Sequence, residues 1–159
     1  MGTVRRVIFG ANPRRTTVRI VVLALVSIVT FGWILVPVRA DGDSMLPTYY
    51  SGNFSLVNRM AYVNGAPHRG DVVAIRLAGR RVVYIKRIIA LPGERISVDD
   101  GNVTINGQPL FEPYVRHQRP WEVREVTLGP QEYFVVGDNR GTSDSGVVEA
   151  DRILGRLMF

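Results

Sequence analysis

Residues 81–90 read Arg-Val-Val-Tyr-Ile-Lys-Arg-Ile-Ile-Ala. β-Branched and aromatic side chains fill this stretch, a composition that suits the pleated surface of a sheet, and the stretch is predicted to be a strand. A strand sends alternate side chains to opposite faces, so Lys86 shares its face with Val82, Tyr84 and Ile88, and Arg87 points to the other face, where it can meet a carboxylate. An ammonium among apolar neighbours loses hydration, which disfavours the charged form and lowers its pKa. The alternative is an edge strand on which Lys86 reaches into water. Lys86 is also the single lysine among 20 lysines and arginines. Arginine cannot release its proton in a protein and a desolvated lysine can, which makes Lys86 a candidate general base.

Outward from this strand the pattern repeats. Strand-like runs cover Phe54 to Arg59, Asp71 to Leu77, Arg95 to Val98, Asn102 to Ile105, Val123 to Leu128, Tyr133 to Val136 and Ile153 to Phe159. Turn signals separate them, notably Asp100-Gly101-Asn102 and Asn106-Gly107. With no amphipathic helix of ~10 residues after the N-terminal region, the expected fold is mainly β, in one domain large enough to bury a core.

Towards the N-terminus, 19 consecutive uncharged residues run from Ile20 to Val38. At ~1.5 Å per residue a helix of this length crosses the hydrocarbon core of a bilayer. Arg5, Arg6, Arg14, Arg15 and Arg19 precede it with no acidic residue among them, so the positive-inside rule puts the N-terminus in the cytoplasm and the chain beyond Arg39 outside. The expected organisation is a basic N-terminus over residues 1–19, a transmembrane helix over 20–38 and an extracytoplasmic domain over 39–159. Of the formal net charge of +6, only +1 remains after Arg19, which argues against a nucleic-acid partner. A cleavable signal ending at Val38-Arg39-Ala40 is the rival reading, but the apolar run exceeds the ~7–15 residues usual for one.

A base needs a partner to deprotonate. The chain has no cysteine, which excludes thiol nucleophiles, disulfides and thiolate metal sites. Its two histidines, His68 and His117, sit in polar, arginine-containing stretches that read as solvated turns, leaving serine paired with lysine as the nucleophilic arrangement. The best serine is Ser44, in Asp41-Gly42-Asp43-Ser44-Met45-Leu46-Pro47-Thr48. Gly42 permits a turn and Pro47 keeps Leu46 extended, so a rigid loop can present the Ser44 hydroxyl and aim its own N–H at a developing oxyanion. No residue cluster suggests a metal or an organic cofactor.

Five blocks in order, GDSMLPT (42–48), RGDVVAIR (69–76), YIKRIIALPGERI (84–96), NGQPLFEPY (106–114) and GDNRGTSDS (137–145), resemble the motif boxes of bacterial type I signal peptidases. The resemblance runs from about Asp41 to the C-terminus. It implies a membrane-bound serine endopeptidase that removes signal peptides from exported preproteins by cutting after small residues. It also implies a coiled β-barrel-like catalytic domain with a small β-ribbon over about 98–121. By position, Ser44 matches the nucleophile and Lys86 the general base, with Gly42, Asp43, Met45 and Pro47 as structural support. The implied setting is the bacterial cytoplasmic membrane, near the export channel, with Met45 and Leu46 exposed at the lipid surface.

The last block is one residue short of the family pattern and has Gly146 where a second arginine is usual. Counting from Arg140 puts Ser143 on the serine that orients the lysine amine, whereas counting back from Asp144-Ser145 favours Thr142; Ser143 is the expected orienting residue. Asp144 is expected to pair with Arg87, and Gly137, Asp138, Asn139 and Arg140 to form a supporting turn. The shortened block also admits a catalytically degenerate membrane-anchored binding protein. Substrate choice leaves room for a specialised pilin or conjugation-system precursor peptidase. A self-cleaving Ser-Lys repressor fits poorly, since there is an anchor and no DNA-binding domain.

Overall fold

The computed structural model describes residues 12–76, 83–116 and 118–158. Arg5, Arg6, Val82, His117 and the expected strand ends at Leu77, Arg81 and Phe159 lie outside the described residues. Helix α1 spans Pro13–Val29. Asn12 caps it by accepting from the Arg15 N–H at 3.3 Å, and Pro13 occupies the first turn, where a missing N–H costs nothing. Its apolar side chains are exposed all round, Leu23 and Ile28 each at 65%. Arg14–Ile34 is long and apolar enough to cross a bilayer, with a mean hydropathy of 2.2.

The helix does not run to Val38. A π-helical turn covers Thr30–Ile34 and the chain then becomes strand β1, Leu35–Arg39. β1 pairs antiparallel with β2, Phe54–Asn58, and the Ile34 carbonyl accepts from the Arg59 N–H at 2.9 Å. A run of apolar residues satisfies a bilayer and a sheet equally, so composition alone misses this switch. Pro37 fits because β1 is an edge strand, where a residue without an N–H breaks no ladder.

The remaining strands are β3 (Val72–Arg76), β4 (Val83–Ala90), β5 (Arg95–Asp99), β6 (Asn102–Ile105), β7 (Gln108–Pro109), β8 (Val123–Thr127), β9 (Glu132–Val136), β10 (Ser145–Glu149) and β11 (Ile153–Met158). They form two antiparallel sheets, one ordered β1-β2-β11-β3-β4-β9-β10 and the other β7-β6-β5-β8. The fold is therefore mainly β behind one apolar helix. The smaller sheet is wider than residues 98–121, because β8 folds back on β5 from the Arg95↔Thr127 pair onward. Ile89, Ile96, Val103, Leu128 and Phe134 bury the seam between the sheets. β3 is buried on both faces: Val72 and Ala74 pack with Met45 and Leu157, and Val73 and Ile75 with Ile88 and Val135. This places β4 in the middle of the larger sheet and the Ser44 loop against one of its faces.

Candidate active site

Gly42 turns the chain at φ +85°, and its N–H donates to Ser51 Oγ at 3.2 Å. The Leu46 N–H then closes on the Asp43 carbonyl at 3.2 Å and the Tyr49 N–H on Met45 at 3.0 Å, with a cis Leu46–Pro47 peptide between them. Met45 is 4% exposed and packs on Val57, Val72 and Ala74. The expectation that Met45 lies at the lipid surface is therefore corrected: it is the hydrophobic peg that fixes the loop. Ser44 is left half-buried, and its N–H donates to no acceptor among the described residues.

Asn139 ties this loop to the far side of the site. Its side-chain amide donates to the Asp43 carbonyl at 3.0 Å and its backbone N–H to the Ser44 carbonyl at 3.0 Å. The same residue's carbonyl accepts from both Thr142 N–H (3.2 Å) and Ser143 N–H (3.0 Å). That double acceptance closes the one-residue-short loop tightly enough to deliver Ser143 inward. The sequence marks Asn139 only as part of a turn, since its Asp43 and Ser44 partners are about a hundred residues upstream.

Lys86 lies on β4, which has β3 on one side and β9 on the other; its side chain is only 7% exposed and does not reach into water. Its Nζ is 2.8 Å from Ser143 Oγ; Thr142 is exposed. Ser143 Oγ donates to the Asp144 carbonyl at 2.9 Å and accepts from the Gly137 N–H at 2.7 Å. With its proton committed, Ser143 must receive the Lys86 bond as an acceptor, which orients the amine. Desolvation by burial lowers the Lys86 pKa, opposed by the charge of Asp144. Ser44 Oγ makes no hydrogen bond to Lys86 Nζ in this structure. Gly137 packs against the Ser44 carbonyl and the Ser143 side chain, and so lies between the loop that carries Ser44 and the hydroxyl that Lys86 contacts.

The expected Asp144–Arg87 pair is not made. Arg87 points to the opposite face from Lys86 and holds Asp138 with two bonds, Nε to Oδ1 at 2.7 Å and Nη2 to Oδ2 at 2.6 Å. Thr48 donates to the same carboxylate, and Arg87 Nη1 donates to the Gly70 carbonyl at 2.7 Å. The guanidinium carbon stands 4.0 Å over the Tyr114 ring. Asp144 instead acts on Lys86.

Arg140 is buried and donates to both oxygens of Glu112, at 3.1 and 2.6 Å, and to the Gly137 carbonyl at 3.0 Å. Glu112 and Tyr114, from the smaller sheet's connection, thus clamp both arginines that shape the 137–143 loop. Neither was singled out from sequence, because a long-range ion pair leaves no local pattern. Removing one partner of a buried pair leaves an uncompensated charge, so Glu112→Ala is expected to cost about 3–5 kcal/mol in denaturant unfolding of the solubilised protein. His68 is exposed, its Nδ1 3.8 Å from Asp71.

A groove of about 230 Å³ runs beside Ser44, walled by Ala40, Met45 and Tyr49 on one side and Val83 to Ile85 on the other. β4 pairs with β3 throughout Val83–Lys86, but with β9 only from Arg87. The other backbone edge of Val83–Lys86 is thus unpaired among the described residues.

A serine on a pinned loop beside an open strand edge, with a buried lysine on that same strand, is an arrangement that suits peptide-bond hydrolysis. The family model described as signal peptidase, peptidase S26, matches residues 14–159. Signal peptidase I T of Bacillus subtilis (strain 168) is 34% identical over 155 residues, covering 88% of this chain and 80% of that protein. Signal peptidase I of Bacillus caldolyticus is 35% identical over 137 residues, 75% of each. A solved signal peptidase I from Enterococcus faecalis is 29% identical, covering 58% of this chain and 97% of that one, with a TM-score of 0.49. The chain belongs to the signal peptidase family. It is a serine peptidase, and its N-terminal helix is long and apolar enough to serve as a membrane anchor.

Proposed function

We propose that this peptidase removes signal peptides from exported preproteins by a Ser44–Lys86 dyad, cutting after small residues. The observation that carries it is the burial of the chain's single lysine against Ser143 Oγ at 2.8 Å, in surroundings that lower its pKa. Neutral Lys86 takes the proton of Ser44 Oγ as that oxygen attacks the scissile carbonyl. The reading requires the Ser44 hydroxyl to come within reach of the amine with substrate bound, the state in which catalytic contacts often tighten. The unengaged Ser44 N–H stabilises the oxyanion. The C–N bond then breaks, Lys86 returns the proton to the leaving amine, and water activated by Lys86 hydrolyses the acyl-enzyme.

The substrate adds as an extended strand along the open edge of Val83–Lys86, its small residue in the groove between Ala40, Met45 and Ile85. Gly42, Asp43, Pro47, Arg87, Asp138 and Arg140 hold the frame. Arginines before the span place the N-terminus in the cytoplasm, and the catalytic domain works outside the bacterial cytoplasmic membrane, beside the export channel. The test is incubation of the detergent-solubilised full chain with a signal-bearing precursor, followed by N-terminal sequencing. The expected product starts just after a small residue, and Ser44→Ala yields none. Cleavage by Ser44→Ala at the same bond refutes the reading.

A further inference from the structure

Lys86 borders a second cavity, of about 170 Å³, whose walls include Ile75, Tyr84, Val135 and Val148. Asp144 lines its rim, and the Asp144 carboxylate has no hydrogen bond or ion pair among the described residues. Alternation along β4 separates this cavity from the Ser44 groove: Ile85 turns into the groove and Lys86 into the cavity, with Tyr84 bordering both. We infer that this cavity receives the side chain of the residue just after the scissile bond, and that Asp144 makes a basic residue the preferred occupant.

The inference rests on the dyad proposed above. An extended substrate alternates its side chains, so the small residue in the Ser44 groove sends the next one to the opposite face. That residue carries the amine that Lys86 protonates, which places it beside Lys86. While Lys86 is neutral, no protein cation among those described offsets Asp144, and a substrate cation in the cavity meets an unpaired carboxylate. The positive charge of that substrate residue also disfavours protonation of Lys86, and so favours the neutral amine on which catalysis depends. Gly146 lines the same cavity and leaves it open, since a Cβ there would meet no atom within 4 Å.

The test measures kcat/KM of the full chain on peptides spanning one Ala-x-Ala cleavage sequence. They carry alanine, lysine, glutamine or glutamate just after the cut, and a second set varies the middle residue instead. Wild type is expected to prefer lysine over glutamine after the cut by about three- to fivefold, the scale of a solvent-accessible ion pair, with glutamate worst. Asp144→Asn removes the preference, and a ratio within one enzyme cancels any general effect on Lys86. Gly146→Arg, which puts a guanidinium into the cavity beside Asp144, also removes it while the alanine peptide is still cut. Equal rates for lysine and glutamine, a preference surviving in Asp144→Asn, or dependence on the middle residue alone overturns the inference with the dyad intact. Failure to cut any peptide overturns the dyad, and the inference with it.

Discussion

Replacing Lys86 by arginine lowers kcat/KM on a preprotein by about 10³–10⁴-fold, close to the loss from Ser44→Ala, because the general base disappears although the charge remains. Guanidinium can donate to Ser143 Oγ as the ammonium does, so a role in structure or charge alone predicts partial rescue. The pH profile separates these. Wild-type kcat/KM rises with pH as the buried amine deprotonates, with a midpoint below the ordinary lysine value of 10.5. Lys86→Arg has no such limb. Substantial activity in that variant, or a rising limb that persists unchanged in Lys86→Arg, removes Lys86 as the base.

Stability follows with a definite sign. The folded-state pKa is lowered, so between that pKa and 10.5 the unfolded chain binds more protons at this site and stability rises with pH. Below the window the folded state bears the full cost of a buried ammonium. Lys86→Met is expected to be more stable than wild type at neutral pH, with the difference shrinking towards alkaline pH; denaturant midpoints at several pH values check this.

The parts of the site legible in sequence are those whose chemistry depends on residue type. A single lysine in a β-branched run, and a serine between Gly42 and Pro47, stand out because few side chains can do their work. What escaped depends on the path of the chain. Val36 and Val38 read as the end of a membrane helix because apolarity does not distinguish a bilayer from a sheet partner, and only pairing with Phe54 to Asn58 makes β1. β10 contains just Val147 and Val148 as strand formers and exists through its register with Glu132 to Val136. Arg87 was expected to face an acid, and does. Which acid was not readable, since Asp138 and Asp144 flank a loop whose direction is set by Asn139 and by the Arg140–Glu112 pair.

Gly137→Ala is expected to abolish most activity while the protein still folds. An added Cβ would fall inside the Ser44 carbonyl oxygen and lie 2.6 Å from Ser143 Oγ and 3.0 Å from Ser143 Cβ. Backbone on one side and a residue bonded to Lys86 on the other leave no flexible tip to yield, so the loop carrying Ser44 and the hydroxyl orienting the amine must separate. Overpacking of this kind costs about 1–3 kcal/mol of stability. A displacement near 1 Å between reacting groups costs about 10²-fold in rate. The prediction is thus a modest fall in Tm with a kcat/KM loss of about 10²-fold or more. Gly65→Ala, where a Cβ meets nothing within 4 Å, is the matched control and should leave both unchanged. Full activity in Gly137→Ala would mean that Ser44 and Lys86 do not need the spacing this glycine sets, and the dyad would have to be drawn differently.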